Sequence, residues 1–159
     1  MESAHRQFSV QCFNDCWTLI DAAERTAEDV QEMVLLASAS LWHWKQRPDC
    51  TPTNLSIGLW QVARVLALAG SPDLAAAFGE HCLRVGQQAG LTPFYTGYAR
   101  EALCRAAVVQ GRWAAAAAHL AQAQAELARV QEADERELLA RDLDSLAQSI
   151  QAGPRERPA

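Results

Sequence analysis

Two glycines, Gly70 and Gly111, each close an apolar run and open an alanine-rich one, and they stand 41 residues apart (70 to 111). On that offset Ala63–Gly70 lies over Cys104–Gly111, so Arg64 meets Arg105, and Ala75–Ala77 lies over Ala116–Ala118. Self-similarity at such a period is the signature of stacked helical hairpins, because one hairpin cannot bury its apolar face alone. This single constraint predicts an all-α chain built as a stack of antiparallel helical hairpins, with about seven helices.

Punctuation along the chain supports the division. A first helix is predicted over about residues 5 to 24, where Phe8, Cys12, Cys16, Trp17 and Ile20 recur at helical spacing. Thr26, with Glu28 and Asp29 behind it, reads as the cap of a second helix reaching Arg47. Two prolines within Arg47–Pro52 break the helix there. Pro52, Pro72 and Pro93 each follow a hydroxyl residue, Thr51, Ser71 and Thr92, which is a helix-start signal. The helices they open are predicted to stop at Gly70, Gly90 and Gly111. The sixth helix, Trp113 to about Val130, is dominated by alanine, and Asp134 reads as the cap of a seventh through Ile150. The hairpins then cover residues 5–46, 52–89 and 93–130, with the last helix as a polar-backed cap. Residues 1–152 form one domain in this reading, and 153–159 form a polar tail.

Composition bounds the function classes. A chain of 159 residues, half of them apolar and 21% charged, buries a proper core without disulfide staples. The net charge is −5, and thirteen of the fourteen basic residues are arginines scattered among acids. Nucleic acid is therefore not an expected partner, since phosphate binding needs a concentrated positive face. The N-terminal residues lack the charged-then-apolar order of a signal peptide, and no apolar run approaches the ~20 residues that span a bilayer, so a cytoplasmic protein without membrane contact is expected. Five cysteines, an odd number without paired spacing, read as reduced core thiols.

At the Gly70 and Gly111 turns, the order of apolar helix, glycine, short turn and alanine-rich helix resembles the tetratricopeptide repeat. Trp60 and Tyr98 stand for its large aromatic, and Ala75, Ala116 and Ala123 for its later alanine positions. The stretch Ala37–Trp44, an Ala-Ser-rich helix ending in a His-Trp pair, is similar to a family of uncharacterised bacterial helical proteins related to these repeats. Asn54, Trp60–Val65 and Glu101–Ala106 carry the same similarity, which spans roughly residues 14 to 146. The resemblance implies a right-handed stack and supplies no reaction.

The most suggestive residues are His43, Trp44, Trp60, Arg64, Glu101 and Arg105. Trp60 and Arg64 share a helix face, as do Glu101 and Arg105. Arginines projecting from equivalent helices could line one groove and grip a carboxylate or phosphate beside aromatic rings. The simpler alternative, which such residues more often satisfy, is that both arginines pair internally with Glu101 and the tryptophans are core. His43 has no evident carboxylate helper and reads first as a structural residue. Cys12, Cys16, His81 and Cys82 do not have zinc-site spacing, no glycine-rich phosphate loop is present, and no cofactor is expected. The reading that follows is a non-enzymatic binding or adaptor module for a protein or peptide segment, or for a small anionic ligand. Its rivals are an enzyme or sensor with His43 and Glu101 in one polar pocket, and a subunit that self-associates, as a homodimer, through alanines such as Ala117.

Overall fold

The computed structural model describes residues 1–153, and over them the chain is a stack of helical hairpins with no strand. The helices are α1 (Glu2–Ile20), α2 (Ala27–Lys45), α3 (Pro52–Leu68), α4 (Pro72–Gln88), α5 (Pro93–Val109), α6 (Trp113–Leu127) and α7 (Ala133–Ala152). The polar tail expected over 153–159 lies, apart from Gly153, outside the described residues. Each helix packs on the next, and α5 also packs directly on α3 and on α7. The odd-numbered helices thus form one layer, and the even-numbered ones back it. No helix among the described residues is long and apolar enough to cross a membrane.

The starts and stops follow local chemistry. Thr26 and Thr51 each accept from the backbone N–H three residues on, while Asp29 and Asn54 return the bond to the cap, giving two reciprocal boxes. Ser71 and Thr92 occupy the equivalent position and make no side-chain cap. At Ser71 the backbone is turned to ψ 63 rather than extended, as it is at its repeat counterpart Arg112, ψ 69. The seventh helix begins two residues earlier than expected: Glu132 is its cap position, and Asp134 sits in the first turn, facing the positive helix end. α1 and α6 stop three or four residues short of their predicted ends. Arg25 donates to the carbonyls of Leu19 and Ile20 at the end of α1 and of Ala22 beyond it, and Arg136 donates to those of Val130 and Gln131 beyond α6.

The core lies between the two layers. Cys16, Met33, Ala37, Val65, Ala75, Cys82 and Ala99 have no exposed surface in the first part of the stack, and Cys104, Ala116, Ala123 and Leu139 have none in the second. Small residues set how closely helices approach. A methyl group on Gly97 would stand 2.6 Å from a Leu139 methyl, so α5 and α7 meet at a distance that a side chain would widen. On α6 only Ala116, Leu120 and Ala123 are buried, and Ala114, Ala117 and Ala118 face outward. Cys16, Cys82 and Cys104 are buried thiols, each donating to a carbonyl, of Met33, Ser56 and Ala116 respectively. Burial pushes the Cys16 thiol up to about 12 and the other two up to about 11, the opposite of an activated nucleophile.

The turn that repeats in the sequence repeats in space. Gly70 and Gly111 have φ of +72° and +70°, and each hands its helix into the same pair of bonds: Ser71 N–H to the Leu66 carbonyl and Arg112 N–H to the Ala107 carbonyl, both 2.9 Å. Nothing lies within 4 Å of a methyl group placed on either glycine, so only backbone conformation opposes a side chain there. Gly111→Ala is expected to lower stability in urea by about 1 to 2 kcal/mol with an unchanged helical circular-dichroism spectrum. A neutral substitution would show that the turn relaxes out of its left-handed conformation.

Candidate functional site

Trp60 on α3 and Glu101 on α5 are 41 residues apart, and the indole Nε1–H donates to Glu101 Oε2 at 2.9 Å. The sequence period therefore reappears as a contact between equivalent faces of adjacent hairpins. Glu101 is fully buried, and a carboxylate taken out of water needs charge and hydrogen bonds in return. Arg105, one turn further along α5, donates to Oε1 from Nε at 2.8 Å and again from Nη2. Burial works against the charge on Arg105, and Glu101 with Asp142 and Cys104 more than offsets it, so the guanidinium pKa is raised. Glu101 is thus satisfied on both oxygens by Arg105 and Trp60.

Arg64 is left differently placed. Its Nη1 stands 3.6 Å from Glu101 Oε1 and 3.9 Å from Asp142 Oδ1, both beyond hydrogen-bond range. Nε and Nη1 are buried with no hydrogen-bond partner among the described residues. The guanidinium carbon lies 5.8 Å from the Trp17 ring and 5.6 Å from the Trp60 ring, the range of a cation held against aromatic faces. The side chain keeps 17% of its surface exposed, and that surface opens into a cavity.

The cavity measures about 620 Å³ and is walled by the odd-numbered helices. α1 contributes Trp17, with Asp21 just beyond its end. α3 contributes Ser56, Ile57, Trp60 and Arg64, and α5 contributes Phe94, Tyr95 and Tyr98. Leu138, Arg141 and Asp142 of α7 complete it. The rings form a continuous chain, with centroids 5.8 Å apart for Trp17 and Trp60 and 5.0 Å apart for Trp60 and Tyr98 and for Tyr98 and Phe94. Tyr98 donates its hydroxyl to Asp142 Oδ2 at 3.0 Å. Burial, and then the Asp142 charge, holds the phenol pKa well above its ordinary value, so the donor stays protonated. Asp21, Leu138 and Arg141 are exposed and form the rim.

Four of the six sequence candidates, Trp60, Arg64, Glu101 and Arg105, come together. Only Trp60 and Arg64 line the cavity, because Glu101 and Arg105 close on each other behind it. His43 and Trp44 are elsewhere. His43 Nδ1 stands 2.8 Å from His5 Nδ1, and its ring lies against Phe8 and Trp42, where the end of α2 meets the start of α1. Trp44 lies under the Arg47 guanidinium at 3.8 Å and lines a separate depression of about 190 Å³ with Val10, Phe13, Asn54 and Ile57. His43 and Glu101 thus do not face one cavity, which the enzyme reading required. Sequence reasoning missed Asp142, Tyr98, Tyr95, Phe94 and Trp17 as site residues. Asp142 carried a signal, since it follows Glu101 by the same 41 residues (101 to 142). Among the described residues no group of three or more His, Cys, Asp and Glu side chains is placed to hold a metal ion.

Replacing Glu101 by Gln leaves a largely buried Arg105 without its counter-charge and is expected to cost about 2 to 3 kcal/mol in urea unfolding. The double substitution Glu101→Gln with Arg105→Met should recover part of that loss, and no recovery would mean that the pair is not coupled. A second expectation concerns pH. Burial, and then the charge of His5, holds the His43 pKa below its ordinary 6.5. The unfolded chain then takes up the proton first, so stability from this ring is complete above about pH 6.5 and is lost as pH falls below it. Between about pH 8 and about pH 5 the urea midpoint of His43→Gln should fall less than that of the unaltered chain, and an equal fall would remove His43 as the cause.

Family models, curated proteins and solved structures contain no match to this chain, so the site is read from its own geometry.

Proposed function

We propose that this chain is a non-enzymatic binding module that holds a small organic carboxylate with a planar apolar body between α1, α3, α5 and α7, on a tetratricopeptide-like stack. The observation that carries the reading is Arg64: a guanidinium on an aromatic-lined cavity wall, with two buried nitrogens lacking hydrogen-bond partners. A guanidinium whose buried donors make no hydrogen bond costs stability in the empty protein, even with carboxylates at 3.6 and 3.9 Å, and gains charge-assisted hydrogen bonds when an anion arrives. Trp17, Trp60 and Tyr98 supply faces and edges for a flat apolar body. A cavity of about 620 Å³ falls within the size range of small-molecule sites and favours a compact ligand over an extended peptide. Glu101 and Arg105 support the site from behind, since their mutual bond leaves Arg64 free.

The test compares a carboxylate with its neutral amide, 3-phenylpropanoate against 3-phenylpropanamide, by calorimetric titration. The carboxylate is expected to bind more tightly by about 1.5 to 3 kcal/mol, and Arg64→Met should abolish that difference while the protein stays folded. Equal binding of acid and amide, or a preference that survives Arg64→Met, would refute the assignment.

A further inference from the structure

The charges around the cavity floor sum to zero, and that balance restricts the ligand beyond its carboxylate. Glu101 and Arg105 are closed on each other by direct hydrogen bonds. Arg64 and Asp142 are not: their nearest charged atoms stand 3.9 Å apart, an ion pair held open on the cavity wall. Tyr98 occupies Asp142 Oδ2 at 3.0 Å and so fixes the carboxylate with Oδ1 toward Arg64. Oδ1 accepts no hydrogen bond among the described residues, just as Arg64 Nε and Nη1 donate none. One unused donor group and one unused acceptor group therefore stand side by side.

A ligand that brings only an anion meets Arg64 but places a second negative charge beside Asp142, with Glu101 close behind. In a site of low effective dielectric this repulsion opposes binding. A ligand that brings only a cation meets Asp142 and is repelled by Arg64. A ligand with both charges on the same or adjacent carbon atoms satisfies both ends and leaves the cluster neutral. Building on the reading above, we infer that the cavity takes an amino acid with an aromatic side chain, its carboxylate on Arg64, its ammonium on Asp142, and its ring against Trp17, Trp60 and Tyr98. Arg64 and Asp142 touch the ligand's charges, and Tyr98 is a positioning residue that acts through Asp142.

Calorimetric titration of the full chain with L-phenylalanine, 3-phenylpropanoate and 2-phenylethylamine, and with L-tryptophan, indole-3-propanoate and tryptamine, tests this. The amino acid should bind tightest in at least one series, with loss of either charged group costing about tenfold or more. Asp142→Asn should weaken the amino acid and strengthen the plain carboxylate, a reversal that loss of packing would not produce. Carboxylates that bind as tightly as their amino acids in both series would overturn the inference and leave the carboxylate reading intact. Binding of neither in both series would overturn the two together. The ranking in the unaltered chain decides the question even where Asp142→Asn does not fold.

Discussion

A carboxylate held without exposure to water organises the middle of this molecule. Glu101 demands charge and hydrogen bonds from whatever surrounds it, and the groups that answer come from two helices: Trp60 on α3 and Arg105 on α5 itself. Satisfying it fixes the register of the second hairpin against the third, because the indole must arrive at one height along α5. The same bonds determine what is left over. With Arg105 closed on Glu101, Arg64 keeps only long-range attraction to Glu101 and Asp142 and presents its remaining surface to the cavity. A shorter acid or an apolar residue at position 101 would release Arg105, and the division between a supporting cation and a free one would disappear.

The repeat explains why the site falls where it does. Residues 41 apart occupy equivalent places on α3, α5 and α7, and Trp60, Glu101 and Asp142 (60, 101, 142) form one such ladder across the layer. Arg64 lies beside the second and third rungs and bridges them by charge. The first hairpin stands outside the period, since the Arg47–Pro52 connection is irregular and is tied back to α1 by Arg47 donating to Ser9 and by the Arg6–Asp49 ion pair. Its contribution to the cavity is an aromatic wall, Trp17, instead of another polar rung.

Packing and cavity are complementary outcomes of residue size. Alanines and Gly97 bring the helices together within the stack, whereas Trp17, Trp60, Phe94 and Tyr98 hold the odd-numbered layer open on its other side. Large rings touching edge to face cannot fill space as densely as interdigitating aliphatics, and a ligand-sized void results. The His5–His43 contact lies at the far end of the α1/α2 hairpin and serves its closure, with Phe8 and Trp42 around it.

Periodicity and punctuation in the sequence determined the all-helical stack: proline at the helix starts and glycine at the left-handed turns act within a few residues and need no distant partner. The repeat offset likewise assigned Trp60, Arg64, Glu101 and Arg105 to matching faces of neighbouring hairpins, which is where they meet. Helix ends were less legible at Ile20 and Leu127, where Arg25 and Arg136 cap carbonyls through side-chain reach that no periodicity records. Which arginine is free was decided only by tertiary structure. Arg64 and Arg105 are interchangeable in the sequence pattern, and the choice depends on Arg105 sharing a helix with Glu101 while Arg64 lies across an interface. The separation of His43 from Glu101, and the arrival of Tyr98 and Asp142 at the cavity, were settled in the same way, because distances between helices are set by packing and not by spacing along the chain.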